Sequence, residues 1–288
     1  MPGNSGIARK YIVLSLVLLA GLLTCGLLIG CRNDFAGLVH STDLDERLQE
    51  RNSFRFLRPE DRELHLGEEY SFIVLTDIHI ENKNARGLEK LTAVIAEHNI
   101  QFVVIIGDIT QNGTREDIER FIEIARSFRN DNRSVPCYPV IGNHDIFFGN
   151  WPHWSSLIGS TRYRIDGGGA TLFVLDSANA YLGRGQLNWL ENELKSASGR
   201  VFVFTHSNLF IRNLGIQQLA DARERARICA ILHNRGDLMF MGHSHERDIR
   251  TVGGVQYISI EDFRDNQIYC LVTVKHTGIS YRFEQINN

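Results

Sequence analysis

Five short apolar runs follow one another along the chain after residue 70. They cover residues 71–76, 102–106, 137–141, 201–205 and 237–241. Their length and composition are typical of buried strands. Segments with helical periodicity lie between several of them, at residues 84–97, 114–128, 185–195 and 216–233. Strands that alternate with helices predict βαβ units.

The pattern changes after residue 250. The runs at residues 255–260, 268–274 and 279–283 indicate strands joined by turns, and we expect them to pair antiparallel. The chain as a whole is therefore predicted to be an α/β protein with two sheets, or one large mixed sheet, covered by helices.

Polar side chains follow each of the five apolar runs at the point where the run ends. They are Asp77 and His79, then Gly107 and Asp108, then residues 142–145 (Gly-Asn-His-Asp), then His206, and finally residues 242–245 (Gly-His-Ser-His). Ligands of open α/β sheets bind beyond the carboxyl ends of the strands. We therefore expect these carboxylates, imidazoles and one amide to meet in a single crevice.

So many acidic and imidazole groups in one place would repel one another or be poorly solvated without a partner. A divalent cation removes that problem. The donors are nitrogen and oxygen with no thiolate, which suits Zn, Fe, Mn, Ni or Co. One such motif alone is usually a surface turn, but five in succession, each at a strand end, predict a metal site. The remaining six histidines are expected at the surface or in the core (His40, His65, His98, His153, His233 and His276).

The N-terminus has the pattern of a membrane-targeting segment. Residues 11–31 carry no charge and follow Arg9 and Lys10, which fits either a spanning helix or the core of a signal peptide. Residues 28–31 (Leu-Ile-Gly-Cys) resemble the lipobox of bacterial lipoproteins, which implies lipidation at Cys31. An uncleaved signal anchor is the alternative. Both interpretations predict an extracytoplasmic, membrane-anchored protein of the cell envelope.

Three segments are predicted along the 288 residues. Residues 1–30 are a signal peptide or anchor, residues 31–69 a tether with a short helix, and residues 70–288 the domain that carries the five polar motifs. Cys137, Cys229 and Cys270 are expected to be free thiols, with a single disulfide as the alternative. The formal net charge of −3 and the lack of a basic cluster argue against a nucleic-acid partner.

The order of the five polar motifs resembles that of the calcineurin-like metallophosphoesterases, over about residues 71–245. The resemblance implies a two-sheet αββα sandwich of mixed sheets flanked by helices. It also implies two divalent metal ions. One would be held by Asp77, His79, Asp108 and His245, and the other by Asp108, Asn143, His206 and His243.

The same resemblance assigns the chemistry. Asp108 would bridge the two ions, and a metal-bound water or hydroxide would attack phosphorus. His144 would bind a phosphate oxygen or protonate the leaving group, and Asp145 would orient its neighbours. The implied activity is hydrolysis of a phosphodiester or of a small-molecule phosphomonoester. A catalytically inactive metal-binding scaffold that binds a partner at the envelope is the alternative.

Two positions depart from the family pattern. Asn208 stands where the family often has proline, two residues after the fourth-motif His206. Gln111 and Asn112 replace the Asp-Arg pair of Ser/Thr protein phosphatases, which favours the phosphodiesterase or small-molecule phosphatase branches. The loop at residues 146–165 is rich in aromatic residues, which either contact a substrate or lipid or form a local core.

Overall fold

Two mixed sheets, each flanked by helices on its outer face, make up the architecture. The structure is a computed structural model that describes residues 42–50, 53–210 and 218–286. Its strands, in chain order, are β1 (Tyr70–Leu75), β2 (Ile100–Ile106), β3 (Arg129–Asn130), β4 (Arg133–Ser134), β5 (Cys137–Val140), β6 (Tyr163–Gly167), β7 (Ala170–Leu175), β8 (Arg200–Thr205), β9 (Leu238–Met241), β10 (Asp248–Val252), β11 (Val255–Ser259), β12 (Ile268–Lys275) and β13 (Gly278–Gln285).

The described helices, in chain order, are α1 (Leu44–Arg47), α2 (Leu91–Glu97), α3 (Arg115–Ser127), α4 (Trp151–Leu157), α5 (Gly183–Glu193), α6 (Ala222–Leu232) and α7 (Phe263–Asn266). Short 3-10 turns cover Pro59–Arg62, Leu88–Lys90 and His144–Gly149. Helix α3 begins where the sequence indicates, because the Thr114 hydroxyl accepts a hydrogen bond from the N–H of Asp117 and caps the first turn.

The first sheet has the strand order β13-β12-β1-β2-β5, and the second has the order β10-β11-β9-β8-β7-β6. Strands β1, β2 and β5 run parallel, as do β7, β8 and β9. Parallel strands end at the same edge, so the loops after β1, β2, β5, β8 and β9 are gathered at one end of the sandwich. The predicted two-sheet α/β sandwich is confirmed.

Aromatic side chains fill the space between the sheets. Phe72 of the first sheet stacks on Phe102 with ring centroids 4.5 Å apart, and it meets Phe202 of the second sheet edge-on at 5.0 Å. All three are fully buried. Such offset and edge contacts are the preferred geometries of aromatic rings in cores. A second apolar cluster lies on the other face of the second sheet, where Leu187, Leu190 and Ile228 belong to helices α5 and α6.

The hydrophobic pattern located some strands and missed others. The hairpin of β6 and β7 was not predicted, although Ala170–Leu175 is buried throughout. Strand β10 was also missed, because it is a largely exposed edge strand without an apolar run. The expectation of antiparallel pairing among the three runs after residue 250 holds for β12 and β13. It is wrong for β11, which lies in the other sheet and pairs with neither of them. Strand β11 instead pairs antiparallel with β10 and parallel with β9.

The segment before β1 packs on the domain. Phe54 pairs with Gly159, and Glu63 pairs with Asp166 of β6, through backbone bridges. The predicted anchor at residues 1–30 lies outside the described residues, and the division of the chain at residues 30 and 69 stays a prediction. Among the helices that the structure describes, none has both the length and the apolar character needed to cross a membrane.

The three described cysteines are free thiols, as the sequence predicts. Cys137 and Cys270 are buried free thiols, and Cys229 is a half-buried free thiol. Cys25 and Cys31 lie outside the described residues.

Candidate metal centre

The seven predicted ligand residues meet at the end of the sandwich where β1, β2, β5, β8 and β9 terminate. Two groups of three have possible ligand atoms within 4.8 Å of one another: Asp77, His79 and His245, and Asp108, His206 and His243. A third group of the same size joins His79 and Asp108 to His144. The remaining predicted ligand, Asn143, places Oδ1 3.0 Å from His206 Nε2.

The backbone is strained at most of these residues. Five of the seven have a left-handed backbone with positive φ: Asp77 (54°), His79 (53°), Asp108 (46°), His243 (68°) and His245 (54°). This conformation is uncommon for residues other than glycine. Strain of this kind persists only where surrounding contacts hold it, and it clusters at functional sites. Here it turns side chains from separate loops toward one point.

Two glycines make the close approach of these loops possible. A Cβ on Gly107, which has a φ of 74°, would lie 2.4 Å from His206 Nδ1. A Cβ on Gly142 would lie 2.1 Å from the backbone nitrogen of Asp108. Both distances are far below van der Waals contact, so any side chain there would push the ligand loops apart.

Each central carboxylate has one oxygen held by the protein and one facing the site. Asp77 Oδ2 lies 2.6 Å from the Thr76 hydroxyl and accepts the His243 N–H at 2.9 Å. Its Oδ1 is 3.3 Å from His245 Nε2. Asp108 Oδ1 accepts the His144 N–H at 2.8 Å. The backbone thus fixes the carboxylates before any ligand binds.

Asp108 Oδ2 occupies a central position. It lies 3.3 Å from His206 Nε2 and 3.9 Å from each of His79 Nε2 and His144 Nε2. His79 and His206 belong to the two different predicted metal sets. One oxygen of Asp108 therefore lies close to both sets.

Backbone carbonyls orient two of the imidazoles. His206 Nδ1 lies 3.0 Å from the carbonyl oxygen of Ile106, and His144 Nδ1 lies 2.8 Å from that of Gln111. A carbonyl can only accept, so Nδ1 is the protonated nitrogen and donates in both cases. Nε2 is left facing the site, as is typical of histidines that bind metals through a fixed tautomer.

His79 provides the test of whether a cation fits. Both of its ring nitrogens are buried, and neither has a hydrogen-bond partner among the described residues. Buried polar atoms in proteins are nearly always paired, so an orphaned imidazole calls for an explanation. A metal ion would satisfy Nε2, which lies 3.7 Å from Asp77 Oδ1 and 3.9 Å from Asp108 Oδ2.

Charges in the centre compensate one another. Burial acts to lower the pKa of His206, but the Asp108 carboxylate raises it to about 10. Burial likewise acts to lower the pKa of His245, but the Asp77 carboxylate raises it to about 9. Burial and the neighbouring His206 lower the pKa of His243 to about 3. The two carboxylates therefore require positive charge beside them, which protons supply and which a divalent cation would supply instead.

Asp145 is fully buried, and both of its carboxylate oxygens accept backbone N–H groups. Its Oδ1 accepts the Thr110 N–H at 2.8 Å, and its Oδ2 accepts the Gly142 N–H at 2.9 Å. It therefore ties the loop after β2 to the loop after β5. Burial and the nearby Asp108 raise the pKa of Asp145 to about 7.

Sequence reasoning missed three residues that support the centre. Thr76 contacts Asp77 through its buried hydroxyl, and Thr110 anchors Asp145 through its N–H and its hydroxyl. Asp262 places Oδ2 3.9 Å from His245 Nδ1 and caps helix α7. Thr76 and Thr110 could have been suspected because they adjoin the motifs, whereas Asp262 lies 17 positions beyond His245 and carries no motif.

The neighbouring loops resolve two open points. The aromatic residues after His144 form a local core, since Phe147, Trp151 and Trp154 are buried, while Phe148 is 68% exposed.

Asn208 is buried and donates to the hydroxyls of Ser244 at 3.2 Å and Ser259 at 2.8 Å. The asparagine in the proline position thus links the His206 loop to the loop that carries His243 and His245.

Comparison with known proteins identifies the family of the chain. The family model described as calcineurin-like phosphoesterase matches residues 70–247. A protein of Arcobacter nitrofigilis named "Probable glycerophosphodiester phosphodiesterase GpdQ" is 27% identical over 180 residues, which is 53% of this chain and 63% of the relative. A protein of Fibrobacter succinogenes named "Probable cyclic nucleotide phosphodiesterase" is 24% identical over 150 residues, covering 49% and 53% of the two chains. The chain thus spans less than two thirds of the length of either relative.

Solved structures share the fold. A dimetal phosphatase from Danio rerio has a TM-score of 0.59 at 15% identity, covering 76% of this chain and 97% of that one. A purple acid phosphatase from yellow lupin, Lupinus luteus, also has a TM-score of 0.59, at 12% identity, covering 77% of this chain and 52% of that one. The family match spans well over half of the chain and includes every motif that the structure gathers at the strand ends. The chain therefore belongs to the calcineurin-like phosphoesterase family.

Proposed function

We propose that this protein hydrolyses small-molecule phosphodiesters at a dinuclear metal centre. One observation carries the proposal: Asp108 Oδ2 lies within 4 Å of imidazole nitrogens from both predicted metal sets, His206 at 3.3 Å and His79 at 3.9 Å. A carboxylate oxygen shared in this way suits a bridge between two cations.

The ligand sets follow the grouping of the side chains. Asp77, His79, Asp108 and His245 would hold one ion, and Asp108, Asn143, His206 and His243 would hold the other. All these donors are nitrogen or oxygen, which fits Mn, Fe, Zn, Ni or Co and does not choose among them. The orphaned nitrogens of His79 support the assignment.

When bound, such a pair of ions polarises the phosphoryl oxygens and lowers the pKa of a water molecule. The protein's own contribution is orientation. Asp77 and Asp108 are held by backbone N–H groups, so their free oxygens face the centre without rearrangement. Preorganisation of this kind is a major source of catalytic rate.

His144 is assigned to the phosphoryl group or the leaving oxygen. Its Nδ1 donates to the Gln111 carbonyl, which points Nε2 toward the centre. Burial lowers the pKa of His144, so its protonated ring would give up a proton from Nε2 more readily. Asp145 is assigned a positioning role, because its carboxylate accepts N–H groups from the two loops that carry Asp108 and Asn143.

Two observations support a diester substrate. Both curated relatives are named as phosphodiesterases, one for glycerophosphodiesters and one for cyclic nucleotides. Gln111 and Asn112 stand where protein phosphatases of this family carry an Asp-Arg pair. A small-molecule phosphomonoester is the second candidate.

The test compares two aryl esters with the purified full-length chain in detergent. After chelation and reconstitution with Mn²⁺, we expect hydrolysis of bis(p-nitrophenyl) phosphate to exceed that of p-nitrophenyl phosphate. Asp108→Ala should abolish both reactions. Glu119→Ala, which removes an exposed carboxylate of helix α3, is the matched control and should retain full activity. Full activity of Asp108→Ala would overturn the dinuclear assignment.

We also infer that residues 1–30 direct the chain to the extracytoplasmic face of a membrane. The support is the uncharged run after Arg9 and Lys10 and the lipobox-like sequence that ends at Cys31. Metabolic labelling with a palmitate analogue tests the lipid anchor. The wild-type chain should carry the label and Cys31→Ser should not, whereas an unlabelled wild-type chain would leave the signal anchor as the explanation.

A further inference from the structure

A fully buried ion pair joins helix α1, in the segment before β1, to the turn that follows β7. Arg47, the last residue of helix α1, donates from Nε to Asp176 Oδ2 at 2.8 Å and from Nη2 to Asp176 Oδ1 at 2.9 Å. Both side chains are wholly excluded from solvent. Helix α1 is held at this place because the buried Leu44 packs against Gly183 at the start of α5.

Asp176 directly follows strand β7, at the same end of the second sheet as the metal centre. Its backbone exchanges two hydrogen bonds with the Gln186 side chain, at 2.9 and 2.8 Å. Its carboxylate also accepts the Ala178 N–H at 3.1 Å. A buried carboxylate in a fixed turn requires a positive partner, and Arg47 supplies it.

The next residue connects this turn to the predicted ligand His206. The Ser177 hydroxyl accepts the Ser207 N–H at 2.8 Å and lies 2.9 Å from the Thr205 hydroxyl. The Ser207 hydroxyl donates in return to the Ser177 carbonyl at 2.8 Å. Thr205 and Ser207 are the two chain neighbours of His206, so the turn after β7 contacts the chain on both sides of that residue.

We propose that Arg47 is a positioning residue for the metal centre. The bidentate pair with Asp176 fixes the Ser177 turn, and that turn fixes the backbone on both sides of His206. Without Arg47 the buried Asp176 carboxylate must move toward water, which shifts Ser177 and releases His206. The inference rests on the proposed function, because it takes His206 as a metal ligand. It makes the segment before the domain part of the support of the active site.

The test is Mn²⁺ binding to the full-length chain, measured by isothermal titration calorimetry alongside circular dichroism of the fold. Loss of the groups that orient metal ligands typically costs 10–100-fold in metal affinity, so Arg47→Met should weaken binding by about 10-fold or more. On bis(p-nitrophenyl) phosphate, kcat should fall while KM changes little. Arg58→Met is the control: it breaks another bidentate pair, with Asp61, that lies within the segment before β1 and is partly exposed. It should leave Mn²⁺ affinity within about two-fold.

Folded Arg47→Met with wild-type Mn²⁺ affinity would overturn this inference and leave the proposed function standing. A wild-type chain that binds none of Mn²⁺, Zn²⁺, Co²⁺ and Ni²⁺ would overturn both. Should Arg47→Met fail to fold, the double variant Arg47→Met/Asp176→Asn removes both charges, which buried sites often tolerate. Weakened Mn²⁺ binding by the folded double variant supports the inference, and wild-type binding contradicts it.

Discussion

Asp145 accepts a hydrogen bond from the backbone N–H of Thr110 at 2.8 Å, which joins the loop after β5 to the loop after β2. The same carboxylate accepts the Gly142 N–H at 2.9 Å. These two loops carry Asn143 and Asp108, which belong to one predicted metal set. The distance between these two residues is thus fixed by Asp145, which belongs to neither predicted ligand set.

Replacing Asp145 by asparagine should weaken both the fold and the centre. The amide nitrogen is a donor, and on either side of the residue it would face another N–H. We expect a loss of about 1–3 kcal/mol in the free energy of unfolding, the cost of an unsatisfied buried group. Urea denaturation measures it. Asp221→Asn is the control, because Asp221 is an exposed N-cap and asparagine caps equally well. Equal stability of the two variants would contradict the role given to Asp145.

Gly142→Ala should damage the centre although it adds only one methyl group. The new Cβ would lie 2.1 Å from Asp108 N and 2.2 Å from Asp108 Oδ1, so the two loops must separate. We expect Mn²⁺ affinity to fall by about 10-fold or more. Gly185→Ala is the control, since nothing lies within 4 Å of its Cβ and it stands in helix α5. It should raise stability by about 0.4–1 kcal/mol and leave Mn²⁺ binding unchanged. Unchanged binding by Gly142→Ala would show that the close approach of the loops is not required.

His144→Ala should separate catalysis from metal binding. His144 contributes to neither predicted ligand set, so the variant should retain its ions while kcat falls by about 10²–10⁴-fold. Metal analysis and steady-state kinetics on the same preparation measure the two quantities. The exposed His276 provides the control, and His276→Ala should match the wild-type chain in both. If His144→Ala lost its metal, the residue would be a ligand and the assignment would need revision.

Phe147 and Phe148 are neighbours that we expect to contribute oppositely to the free energy of unfolding. Phe147 is 3% exposed, and the centroid of its ring lies 4.1 Å from that of the His144 ring. Phe148 is 68% exposed and has a φ of 55°. Phe148→Gly relieves a left-handed conformation, so it should raise the free energy of unfolding by up to about 1 kcal/mol. Phe147→Ala should lower it by about 3–5 kcal/mol. Thermal unfolding of both variants tests the contrast, and a large loss in Phe148→Gly would show that its ring is packed in solution.

The sequence predicted those parts of the molecule that have a local signature. A buried parallel strand is an apolar run, and a polar residue at its end marks the edge where ligands bind. This is why the ends at Asp77, Asp108 and Asn143 were found from the pattern alone. Strand β10 has no such signature, since an exposed edge strand needs no apolar run.

Contacts between distant parts of the chain had no signature that could be read. Arg47 and Asp176 lie 129 positions apart, and neither belongs to a motif. The approach of Asp262 to His245 depends on how β11 leads into α7, which periodicity does not reveal. The family resemblance supplied the ligand sets, and only the fold shows what holds them in place.

The number of metal ions bound per chain tests the central claim most directly. After chelation, reconstitution with Mn²⁺ and removal of free ions, inductively coupled plasma mass spectrometry of the full-length wild-type chain should give two ions per chain. Asp108→Ala, which removes the proposed bridge, should retain at most one. A wild-type chain that holds one ion or none, or an Asp108→Ala variant that still holds two, would contradict the dinuclear centre.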